Sequence, residues 1–167
     1  KRHRAALNII NNTRIPPPQQ AKWRTLQARA LLECGEADAA AQVLSTGRQQ
    51  APQHNGLALS QILLLRQQQQ PEQAMMQLQQ LPASAMTHYL AGCLHYDLQQ
   101  YEQSERYLLQ AITLQPDYID AHAALNKLYW EHNNQAAFLR SFKQALTVKP
   151  AVALYLSYIS HLVLADR

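Results

Sequence analysis

Residues 125–150 read LNKLYWEHNNQAAFLRSFKQALTVKP. Two apolar stretches flank the polar HNNQ, and the segment closes on Lys149-Pro150. Leu125, Leu128 and Tyr129 fall at helical spacing, and Phe138, Phe142 and Leu146 form a second such row. Asn133-Asn134 suits the turn between them, because Asn tolerates the left-handed conformation that ends many helices. Pro150 closes the second row, since proline disfavours helix at the residue before it. The stretch predicts most of one helix hairpin.

The hairpin recurs. Prolines close apolar segments at Pro52, Pro82, Pro116 and Pro150, the last two 34 residues apart. TLQP follows YLLQAI at the first of these two, and TVKP follows SFKQAL at the second. Ala111 and Ala145 each stand five residues before their proline, Leu108 and Phe142 eight before, Gly92 and Asn126 24 before. Recurrence at a fixed period signals a solenoid, in which no unit buries its apolar face alone.

This phasing resembles the tetratricopeptide repeat, whose 34-residue pattern places small residues at its eighth, twentieth and twenty-seventh positions and a proline near its end. Copies are expected at 21–54, 55–84, 85–118 and 119–152, with a partial one at 153–167; the copy at 55–84 is four residues short. Residues 1–20 are set apart as an N-terminal helix over 1–12 and a stiff Pro-rich joint over 14–20. The predicted array helices are 21–34, 37–50, 55–68, 71–81, 85–98, 101–114, 119–132, 135–148 and 153–166. Gly35 is expected to turn the chain in the first copy, and Pro71 to occupy the first turn of its helix, where its missing donor costs nothing. The pattern departs at Asn126 and Phe138, where small residues are usual. A bulky Phe138 should push its helix pair apart or fill a neighbour's gap.

Composition agrees. The 167 residues are 47% hydrophobic with only 4 Gly. Ala, Leu and Gln, all compatible with helix, dominate, and no run alternates with period two. Composition therefore points to an all-α chain, and the resemblance implies a tetratricopeptide-type right-handed superhelix of antiparallel helix hairpins, an α-α solenoid. The net charge of +4 is too small to imply nucleic acid, and the cluster Lys1-Arg2-His3-Arg4 reads as a solvated end. No stretch approaches 18 apolar residues, so neither a membrane span nor a signal peptide is indicated. Cys34 and Cys93 read as small buried thiols suited to a reducing compartment, and a cytoplasmic, bacterial setting is expected.

In this family the first helix of each copy lines a concave groove that takes a protein or peptide partner. Carried over residue by residue, the resemblance implies a groove lined by Lys22, Arg29, Arg66, Tyr89, Tyr96, Lys127 and Trp130. It also carries Glu33, Leu59, Leu63, Met86, Cys93, Asp97, Asp120, Glu131 and His161 to that wall. Aromatics with a polar tip, together with Arg, favour binding hot spots; inter-repeat packing is the competing role for the two tyrosines and for Trp130. The Lys and Asn that clamp chaperone tails in one subclass are here Thr25 and Arg29, so that specificity is not implied.

Catalysis is not expected. His95-Tyr96-Asp97 matches H-x-D, but helical residues two apart point about 200° from each other and cannot chelate one ion. His95 is expected as a satisfied core side chain. No phosphate loop, nucleophile elbow or CxxC occurs, and no metal or cofactor is expected. AHAALNKLYWEHNNQAAFLRSFKQAL is also similar to repeats that precede 2-oxoglutarate/iron oxygenase domains in some bacterial proteins. That resemblance implies an alternative: the recognition arm of a larger enzyme. A chain that opens on Lys1 and ends with the apolar ALYLSYISHLVLA suits a piece of a longer protein, with self-association through 153–166.

Overall fold

The structure, a computed structural model, describes residues 19–148 together with Ile9 and Pro16. Eight helices and no strand lie among the described residues. They are α1 (Gln20–Glu33), α2 (Ala37–Gln50), α3 (Asn55–Gln67), α4 (Pro71–Leu78), α5 (Ala85–Asp97), α6 (Tyr101–Leu114), α7 (Ile119–Glu131) and α8 (Gln135–Val148). The helices expected at 1–12 and 153–166, Pro150, His161 and most of the joint at 14–20 lie outside the described residues.

Each expected helix from 21 to 148 is present, with one shortened. α4 stops at Leu78, not Leu81. Its end tightens into three-residue turns, Gln80 N–H to the Gln77 carbonyl at 3.2 Å and Leu81 N–H to the Leu78 carbonyl at 3.1 Å. Pro82 then bars helix at Leu81.

The described helices belong to two compact units, Lys1–Leu81 and Pro82–Arg167. In the first, α1 pairs with α2, α3 packs on both, and α4 folds back on α3. Ala28, Leu44, Leu57 and Leu64 form its core, extended by Leu31 and Ala40. In the second, α5 pairs with α6, α7 packs mainly on α6, and α8 folds back on α7. Its core joins Leu108, Ala111, Ile112, Ala121, Leu125 and Leu128, with a further cluster of Phe138, Phe142 and Ala145. Within each unit the hairpins stack in chain order.

The backbone records the repeat. Positive φ occurs at Gly35 (79°), Gln69 (58°), Gln99 (60°) and Asn133 (55°), at intervals of 34, 30 and 34 residues. Each ends the first helix of a hairpin. At Gly35 its N–H reaches the Leu32 carbonyl at 3.0 Å while the Glu36 N–H reaches the Leu31 carbonyl at 2.9 Å. The same pair of bonds recurs at Gln69, Gln99 and Asn133. This double bond satisfies carbonyls that a helix end otherwise leaves unpaired, and it requires one left-handed residue. The 30-residue interval shows that the short copy loses its residues after its own turn.

Helix starts are capped less uniformly. Ser84 and Thr87 cap α5 reciprocally, the Ser84 N–H donating to Thr87 Oγ1 at 2.8 Å and the Thr87 N–H to Ser84 Oγ at 3.2 Å. His54 Nδ1 accepts from the Leu57 N–H at 3.3 Å, and Asn134 Oδ1 from the Ala137 N–H at 3.1 Å.

Small residues set how closely helices pair. A Cβ on Gly92 would stand 2.7 Å from Leu108 Cγ and 3.2 Å from the Ser104 carbonyl oxygen, so α6 crosses α5 where no side chain fits. In the next hairpin Asn126 and Phe138 hold the corresponding slots. α7 and α8 approach each other over less of their length than α5 and α6 do. Phe138 is buried between them, its ring 5.5 Å from Trp130 and 5.7 Å from Phe142. It both spaces the pair and fills the resulting gap.

Candidate functional site

The residues carried over to the groove fall in both units. In the first, Lys22 and Arg29 are exposed on α1, seven residues apart and therefore on one stripe, while Arg66 is half-buried near the end of α3.

The second unit holds a connected cluster. Tyr96, on α5, donates its hydroxyl hydrogen to Glu131 Oε2 on α7. Lys127 lies one turn before Glu131, with Nζ 3.8 Å from Glu131 Oε1 and 4.8 Å from the Tyr96 ring centroid. One carboxylate thus takes a phenol and an ammonium, and the ammonium also sits over the phenol's ring. Tyr96 meets Tyr101 edge to face at 5.9 Å, and Tyr101 tilts onto His132 at 4.1 Å. The hydrogen bond to Glu131 pushes the Tyr96 phenol up to about 12. Its raised folded value means that the stabilisation is intact below the ordinary tyrosine value near 10 and fades as pH climbs through the folded one.

Seven residues back along α5, Tyr89 tilts onto Tyr118 at 5.2 Å, and the Tyr118 hydroxyl donates to Met86 Sδ at 3.0 Å. Burial, reinforced by the neighbouring Cys93 and Asp120, holds the Tyr89 phenol well above its ordinary value. Tyr129 is likewise raised, by burial and by its hydroxyl's 2.7 Å bond to Glu105 Oε1. These phenols stay neutral near pH 7 and present apolar bodies with a polar tip. Trp130 leans on the Phe138–Phe142–Ala145 cluster and is half-buried there.

Tyr89, Tyr96 and Lys127 are thus brought to the joint face of α5 and α7, while Trp130 serves packing with α8 as well. Tyr101, Tyr118 and His132 belong to the same cluster and were not expected. They stand at helix boundaries, beside the first-helix positions that the family pattern supplies. No pattern internal to α5 or α7 points to them.

His95 is not in the core. Its ring stacks on Tyr107 at 5.0 Å and 8°, and Nδ1 lies 2.7 Å from Gln100 Oε1 on the accessible flank between α5 and α6. The satisfied histidine of the sequence reading is there, but α6 covers only part of that flank. Among the described residues no group of three His, Cys, Asp or Glu could hold a metal. No described helix is long and apolar enough to cross a membrane.

Residues 87–118 match the family described as tetratricopeptide repeat. No curated protein matches the sequence. Among solved structures, the chain is similar to TTC0263, a thermophilic TPR protein of Thermus thermophilus. Identity is 23% over 97% of this chain and 91% of that one, with a TM-score of 0.81. It is also similar to MamA 41-end from Desulfovibrio magneticus RS-1, at 20% identity over 77% of this chain and 75% of that one, TM-score 0.60. A third likeness, at 13% identity and TM-score 0.66, is to the APC/C hetero-tetramer Cut9-Hcn1, where 81% of this chain covers 28% of that one. The fold is therefore the tetratricopeptide-type α-α solenoid of antiparallel helix hairpins, as the recurrence in the sequence implied.

Proposed function

We propose that this chain is a non-catalytic scaffold that binds a protein or peptide through the first-helix faces of its hairpins. Tyr89, Tyr96, Lys127 and Trp130 form the contact surface of residues 82–167, and Lys22, Arg29 and Arg66 that of residues 1–81. The observation that carries this reading is the Tyr96–Lys127–Glu131 cluster. An aromatic ring, an ammonium and a carboxylate meet at an accessible joint between two helices, each with capacity left for a ligand. Such amphipathic, partly preorganised groups lose little entropy on binding. Cut9, which shares the fold, is seen assembled with Hcn1 in a hetero-tetramer, so the fold is compatible with protein assembly.

The test is affinity capture with the immobilised chain, wild type against the Tyr96→Ser/Lys127→Gln double variant, with helicity checked by circular dichroism. Proteins retained by the wild type should be lost from the variant. Retention of the same proteins in the same amounts, or of none by the wild type, overturns the groove assignment.

A further inference from the structure

A second surface lies on another flank of the α5–α6 hairpin, away from the joint with α7. His88 and His95 stand seven residues apart on α5, and Gln103, Tyr107 and Gln110 form a stripe on α6 with Arg106 beside it. Together they line an open groove of about 480 Å³, within the roughly 300–1,000 Å³ usual for ligand sites. The face of α6 that meets α7 carries Leu108, Ala111 and Ile112 instead.

The chemistry of this groove is one-sided. Its lining holds a guanidinium, two imidazoles, a phenol and two carboxamides, and no carboxylate. Arg106 is exposed and makes no ion pair among the described residues. Glu102 stands one turn before Arg106 on the same helix, exposed and outside the groove lining, with no ion pair to it among the described residues. Glu105, next to Arg106 in sequence, is turned to the other flank, where it accepts from Tyr129. The rings are set in place: Tyr107 lies between His95, stacked at 5.0 Å, and His88, tilted at 6.0 Å. Gln100 Oε1 lies 2.7 Å from His95 Nδ1, which leaves Nε2 as the ring's other polar atom.

We propose that this flank binds an acidic peptide segment of a protein partner. Arg106 takes a side-chain carboxylate, the pairing that a guanidinium fork favours. His95 Nε2 hydrogen-bonds a ligand backbone group, and Gln103 and Gln110 each donate to and accept from the ligand backbone. The two glutamines lie about 10 Å apart along the helix, roughly three residues of extended chain. A single guanidinium with acceptors and amides suits a peptide better than a nucleic acid, which asks for several spaced cations. This site uses none of the residues of the α5–α7 joint, so the two readings stand or fall separately.

The experiment is fluorescence anisotropy with labelled oligoglutamate, with oligoglutamine, inorganic phosphate and a single-stranded DNA oligomer as further arms. Binding should saturate with oligoglutamate and not with oligoglutamine. Arg106→Gln should weaken it about tenfold, the scale of one charge-assisted contact. Gln103→Ala/Gln110→Ala should weaken it several-fold. Lys143→Gln removes the same charge from exposed α8 and should leave binding unchanged. All these positions are exposed, so folding survives substitution. Equal losses in Arg106→Gln and Lys143→Gln would reduce the effect to net charge and overturn the site. So would an absence of saturation, displacement by millimolar phosphate, or tighter binding of the DNA.

Discussion

The hairpins α5–α6 and α7–α8 occupy successive turns of the same repeat and solve the same packing problem differently. In α5–α6 the crossing slots hold Gly92 and Ser104, and the backbones close until a Cβ would collide with Leu108. In α7–α8 the same slots hold Asn126 and Phe138, and the helices part enough to seat an aromatic ring. A period read as small residues is therefore a volume rule and not a residue rule. A large side chain in one slot is tolerated where its neighbours yield around it, here Trp130 and Phe142. Both hairpins bury unpartnered polar atoms, but the second buries more: the first leaves the Ser104 hydroxyl without a partner, whereas the second leaves both amide atoms of Asn126, 4% exposed, and the Ser141 hydroxyl beside Phe142.

The comparison breaks most sharply at its two crossing residues. Phe138→Ala should cost about 3–5 kcal/mol, the range for emptying a buried aromatic site, because spaced helices cannot collapse onto the void. Gly92→Ala should cost about 1–3 kcal/mol by the opposite mechanism, overpacking against Leu108. Urea unfolding followed by circular dichroism measures both. If Phe138→Ala cost no more than Gly92→Ala, the phenylalanine would not be the spacer that holds α7 from α8.

Next in size is the orphaned amide. Asn126→Ala should raise stability by about 1 kcal/mol, since a buried polar group without partners forfeits its hydration for nothing in return. The same substitution moves the second hairpin toward the small-residue solution of the first. An unchanged or lowered unfolding midpoint would mean that the amide is satisfied in solution, and that the two hairpins differ in spacing but not in polar cost.

How much of this was legible in the residues differs by level. Helix boundaries came within one residue except at α4, because prolines and turn residues act locally and the repeat averages out errors at any one site. Phe138 in a small slot was legible as a conflict; that it would both space and fill its pair was not, since the outcome depends on Trp130 and Phe142 across the hairpin. The cluster around Tyr96 was half legible. The family pattern supplies Tyr96, Lys127 and Glu131 as positions on first helices, whereas Tyr101 and His132 reach the same place from helix boundaries. His95 was misplaced because its repeat position says inward, while the flank it faces is only partly covered.

The smallest effect concerns the turns. Gln99 ends α5 and Asn133 ends α7 with the same two backbone bonds and nearly the same φ, 60° and 55°. Only the residue differs. A non-glycine residue in the left-handed region costs on the order of 1 kcal/mol, and Asn escapes part of it because its short polar side chain bonds locally. Gln has no such relief. Gln99→Gly should therefore gain about 0.5–1 kcal/mol, less what glycine's extra freedom in the unfolded chain takes back. Asn133→Gly should gain less. Gly35 already holds the corresponding place in the first hairpin at 79°, so the substitution copies a solution the chain itself contains. Equal gains at both sites would show that the turn, not the side chain in it, sets the strain; a loss at Gln99 would show that its side chain contributes more to the hairpin than its backbone conformation costs.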